Sequence, residues 1–205
     1  TQLRLAILAA DTSPSQFECQ IGQATDAGLR IALQAYESAT RMNFSDAERR
    51  ADAYMGLGCI WQSLDGQGLE TRVRLEQRVS NLQQAVRAFT AARESDPGWS
   101  RDLDLGRAHR DLARAHLNRS TGGIPTEART SLANAIRNFE SAISLNPGND
   151  VASNRNKARI HLDIADAHLA LKDMDQDQVG LALANIQAAV ALDSSSPLPW
   201  YSLAE

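Results

Sequence analysis

Residues 81–98 read NLQQAVRAFTAARESDPG, and residues 131–148 read SLANAIRNFESAISLNPG. In each stretch an alanine is followed four residues on by phenylalanine, three later by a second alanine and five later by proline. These are Ala85, Phe89, Ala92, Pro97 and Ala135, Phe139, Ala142, Pro147. Spacings of three and four put the apolar side chains on one face of a helix. The Pro-Gly pair ends that helix, because proline lacks the donor that the next turn needs. Weaker copies give Ala32, Tyr36, Ala39, Phe44 and Ala182, Ile186, Ala189, Ser194, so the four copies stand 53, 50 and 47 residues apart. Self-similarity at such a step marks a repeat architecture, in which each unit carries an apolar face that its neighbour must cover.

A second pattern lies between the copies. Tyr54-x-x-Leu57-Gly58-x-x-Trp61, His109-x-x-Leu112-Ala113-x-x-His116 and His161-x-x-Ile164-Ala165-x-x-His168 share one spacing, and Trp200, Leu203 and Ala204 begin a fourth. A helix-interior glycine costs about 1 kcal/mol against alanine, so Gly58 points to a partner helix at close range. Together the two patterns resemble the tetratricopeptide repeat, over residues 28 to 204. In that family the first helix of a pair carries an aromatic, a leucine-small pair and a second aromatic, and the second carries alanine, aromatic, alanine and a closing proline. The resemblance implies an all-α fold, an alpha-alpha superhelix (solenoid) of antiparallel helix pairs. The step here is longer than the family's 34 residues, so helices are lengthened or loops inserted around 62–75 and 118–128. Histidines also stand where two of the repeats should have aromatics.

The periodicity predicts helices over 16–42, 46–64, 71–95, 100–118, 126–145, 151–172 and 176–192, with a short apolar piece at 3–10 and a further helix opening at 198. Ser45 with Glu48 has the form of a capping box. We read residues 1–205 as one repeat domain, a segment of a longer protein, because the Trp200 helix breaks off after it starts.

Composition narrows the function. A net charge of −4 argues against nucleic acid as the main partner. No apolar run is long enough to span a bilayer, residues 3–10 lack the basic start of a signal peptide, and the expected location is cytoplasmic. Two cysteines cannot build a disulfide framework, and Cys59 reads as a plain semi-buried thiol. No nucleophile, base and orienter assemble, and Gly122-Gly123 lacks the lysine of a phosphate loop, so no enzyme activity and no cofactor are expected. The four histidines pair at a spacing of seven, two turns apart, without a metal-binding motif. They read as core packing with a hydrogen-bonded ring nitrogen.

The resemblance further implies a concave surface lined by the first helix of each pair. That surface would present Arg107, Arg110, Arg114 and Asn118, then Arg159 and Asp166, and Asp52 and Gln62. Three arginines at spacings of three and four share one face and suit an acidic peptide or a carboxylate terminus. The competing reading is that Asp104, Asp111 and neighbouring helices pair with these arginines and leave only a solvated face. The expected role is a protein-interaction scaffold that binds a partner through its groove or edge loops. The alternative is a structural or regulatory segment of a larger enzyme or sensor, mediating assembly or self-association through exposed terminal helices.

Overall fold

The computed structural model describes residues 26–42, 46–63, 71–172 and 177–194. Regular structure among them is helical throughout: α1 (Asp26–Thr40), α2 (Ala47–Ser63), α3 (Thr71–Ser95), α4 (Trp99–Arg119), α5 (Thr126–Leu145), α6 (Val151–Leu169) and α7 (Asp177–Leu192). The expected helices at 71–95 and 126–145 coincide with α3 and α5, for the reason the sequence offers: each runs into a proline. The expected helix at 151–172 stops earlier, at Leu169. There the backbone tightens, with Leu171 N bonded to His168 O at 2.9 Å and Lys172 N to Leu169 O at 3.2 Å. Asp46 caps α2, its Oδ1 accepting from Glu48 N at 3.0 Å. Asp150 caps α6 by accepting from Ser153 N at 2.9 Å. The expected helices at 3–10 and from 198, the first part of 16–42, and Ser45 itself lie outside the described residues.

The chain divides into two compact units, 1–101 and 102–205. In the first, α2 packs against α1 and α3 through its two glycines. A Cβ at Gly56 would lie 2.1 Å from the Tyr36 ring, and one at Gly58 would lie 2.6 Å from the ring of Phe89. Only hydrogen fits at either place. Burial, and then the nearby Asp52 carboxylate, raises the pKa of Tyr36. Met55, Cys59, Leu82, Ala85, Phe89 and Ala92 are buried in this unit.

In the second unit the contacts give the helix directions. Gly106 lies under Phe139, and Ala113 packs with Leu132, so α4 and α5 are antiparallel. His161 meets Asn185 and His168 meets Gln178, so α6 and α7 are antiparallel too. Arg110 pairs with Asp163 and Arg114 with Asp166, an advance in the same direction, so α4 and α6 run parallel. Phe139 also packs with Ile160 and Ile164 of α6. Within this unit, therefore, two antiparallel pairs stand side by side with their first helices parallel.

The register differs from the expectation in one respect. The sequence pattern gives Ala113 the place of Gly58. In the structure that place belongs to Gly106, seven residues earlier: its missing Cβ would fall 2.6 Å from Phe139, as that of Gly58 does from Phe89. Seven residues turn a helix through nearly two full turns, so positions seven apart share a face. Periodicity alone cannot separate them.

Candidate functional site

The predicted arginine stripe lies on α4 and meets α6. Asp163 stands between two arginines: it pairs with Arg110, and its other oxygen lies 3.6 Å from Arg107 Nε. Arg107 also has Asp104 at 3.9 Å, one turn back on its own helix. Arg110 Nε is buried without a hydrogen bond and lies 3.5 Å from Asp111 Oδ1, an ion-pair distance only. Burial works against the Arg110 charge, yet Asp163, Asp111 and Asp166 outweigh it and raise its pKa. Arg114 pairs with Asp166, and their side chains are 52% and 47% exposed.

The eight residues singled out from sequence thus have different surroundings. Arg107 and Arg110 are held by carboxylates, including the Asp104 and Asp111 that the competing reading named. Arg114 and Asp166 hold each other near solvent. Asn118 and Arg159 are exposed, and Arg159 has no ion pair among the described residues. Asp52 and Gln62 belong to the first unit. There Asp52 accepts from Arg101 at 2.8 Å, with side-chain exposures of 17% and 5%, while Gln62 is half-buried.

Sequence reasoning did not single out Asp163 as an arginine partner, or the Arg101–Asp52 pair. A signal for the seam was available. Arg114 and Asp166 each precede the second histidine of their repeat by two residues, so opposite charges occupy equivalent places on neighbouring parallel helices. No comparable signal marks Arg101, whose partner lies 49 residues away.

The histidines divide. His161 Nδ1 lies 2.9 Å from Asn185 Oδ1, and His168 Nδ1 lies 2.8 Å from Gln178 Oε1, as expected for packed imidazoles. Nδ1 of His109 and of His116 is buried with no hydrogen-bond partner among the described residues. No group of three or more His, Cys, Asp or Glu among the described residues is placed to hold a metal ion.

Cys59 is a correction. It is 1% exposed and disulfide-bonded rather than a semi-buried thiol. The sequence has one other cysteine, Cys19, outside the described residues. Disulfides persist in oxidising compartments and are rare in the cytosol, so the bond counts against the cytoplasmic expectation. No described helix is long and apolar enough to cross a membrane.

No known family's sequence pattern matches this chain, and no curated protein is similar to it in sequence.

Proposed function

We propose that the chain is a non-catalytic helical-repeat module, similar to the tetratricopeptide repeats, that holds a partner protein or peptide on the face shared by α4 and α6. Within the second unit its two antiparallel pairs stand side by side with their first helices parallel. The observation that supports this reading is the parallel, ion-paired arrangement of α4 and α6, with Arg114, Asn118 and Arg159 exposed along it. The inner arginines hold the two helices together, and the outer two face the partner.

An acidic segment fits this division. It would engage Arg159 directly and exchange with Asp166 at Arg114. A half-exposed ion pair contributes only about 0–1 kcal/mol, so that exchange costs little. A charge-assisted hydrogen bond contributes roughly 1.5–3 kcal/mol. Changing Arg114 and Arg159 together to alanine should therefore weaken capture by at least about tenfold, and wild-type binding should weaken as salt is raised. Capture from the native extract by both forms, at matched helical content by circular dichroism, reads this directly. Equal retention of the same partner by the double variant removes the α4/α6 face from consideration.

A second reading, assembly through α7, has its own observation. Val179, Leu181 and Leu183 are exposed. At the 47-residue step Val179 stands where Leu132 stands in α5, and Leu132 is buried against Ala113 and Ala167. An uncovered face of this kind favours association. Sedimentation velocity should show a mass that rises with concentration in wild type and stays monomeric in Val179→Asp/Leu183→Asp. A wild-type monomer at all concentrations overturns this reading.

A further inference from the structure

The two helix pairs of the second unit carry histidines at equivalent places, and their surroundings respond differently to a proton. In the α6–α7 seam both rings meet an amide oxygen. Asn185 is itself held, its Nδ2 donating to Leu181 O at 2.9 Å, which turns its oxygen toward His161. An amide oxygen only accepts, so Nδ1 carries the hydrogen in these rings. The inter-helix bond in this seam therefore uses a ring nitrogen that already carries its hydrogen. In the α4–α5 seam, Nδ1 of His109 and of His116 has no partner among the described residues. The neutral ring can leave that nitrogen bare, but the imidazolium must place an N–H there. A buried donor with no acceptor is then added to a buried charge.

The charged groups around these rings do not relieve that cost. Arg137 of α5 acts on His109 and repels its charge. His116 has Arg119 on its own helix and Glu127 of α5, which oppose each other. Asp102 of α4, one heptad before His109, accepts from Ser141 Oγ of α5 at 2.6 Å. The α6 carboxylates Asp163 and Asp166 pair with Arg107, Arg110 and Arg114, roughly 100–180° around α4 from the imidazoles at 100° per residue.

We propose that the α4–α5 seam is an acid-opened joint: protonation of His109 and His116 loosens α5 from α4, while the α6–α7 seam stays closed at the same pH. Opening would expose the face of α5 that carries Leu132 and Phe139. In support, burial and then Arg137 push the His109 pKa down from 6.5 to about 4. Burial and then Arg119 lower that of His116, against the opposing pull of Glu127. With the folded value below the unfolded one, the unfolded chain binds more protons. Stability is then complete above pH 6.5 and is lost as pH falls from 6.5 toward 4. For His109 alone, lowering pH from 7.5 to 5 should raise the unfolding constant roughly thirtyfold.

Urea titrations of the whole chain at pH 7.5 and 5.0 test this with two double variants. His109→Phe/His116→Phe restores the aromatic type to those slots and should lose most of the wild-type acid response. His161→Phe/His168→Phe should keep it. An unchanged acid response in the first variant, or its loss only in the second, overturns the proposal. Should the first variant not fold, the ring-proton titration of wild type decides: a His109 midpoint near 4 supports the joint, and one near the ordinary 6.5 overturns it.

Discussion

Gly106→Leu should cost more than about 3 kcal/mol of stability, although leucine is much the better helix former and should gain close to 1 kcal/mol from propensity alone. Even the first added carbon would lie 2.6 Å from Phe139, whose ring is completely buried and cannot yield without moving α5 off α4 and α6. Overpacking of a tight core typically costs 1–3 kcal/mol, occasionally more, and here the added group is a whole isobutyl side chain. Gly180 supplies the opposite sign. It lies inside α7 with open space for 4 Å around the place a Cβ would take, so Gly180→Ala should stabilise by about 0.5–1 kcal/mol. Phe139→Ala alone should cost about 3–5 kcal/mol. The Gly106→Leu/Phe139→Ala double variant should lose clearly less than the sum, because each change makes room for the other. Denaturant midpoints for the three variants would settle it. Additive losses would mean that the two residues do not share one space.

That prediction could not have been written from the sequence, and the reason is specific. The Ala-Phe-Ala pattern identified the second helices, and the Pro-Gly stops placed the ends of α3 and α5 correctly. The facing register was not readable. Positions seven apart lie on one face, so Ala113 and Gly106 are equivalent to any periodicity argument, and only the position of Phe139 separates them. The candidate site divides on similar lines. Spacing placed Arg107, Arg110 and Arg114 on one face of α4, because spacing is local. Their occupation by Asp163 and Asp166 depends on which helix lies alongside, a long-range fact expressed only through the repeat step. The histidines show the same limit. Their slots were legible, but the acceptors that separate His161 and His168 from His109 and His116 lie on other helices. The Cys59 disulfide was missed because a cysteine count of two was read only against a framework of several bridges.

Asp52→Ala should destabilise the first unit by about 2–4 kcal/mol, whereas Asp166→Ala should cost less than about 1 kcal/mol. Both remove a carboxylate from an arginine, and burial sets the difference. The Arg114–Asp166 side chains are about half exposed, so water solvates whichever partner remains. The Arg101 side chain is 5% exposed. Without Asp52 its guanidinium retains Asp96 at 3.5 Å, a partner that is itself 44% exposed, and the buried charge is left poorly compensated. Removing one member of a buried pair costs much more than replacing both with apolar groups of similar volume. Asp52→Leu/Arg101→Met should therefore lose less stability than Asp52→Ala alone, despite carrying two changes. Tyr36 supplies an independent readout. Asp52 is the second cause raising its pKa, after burial, so in Asp52→Ala the phenol should ionise at lower pH in an ultraviolet titration while remaining above an ordinary tyrosine. A full loss of stability in Asp52→Ala with no movement of the Tyr36 titration would mean that Asp52 acts through packing rather than charge. An equal cost for Asp52→Ala and Asp166→Ala would remove burial as the deciding variable.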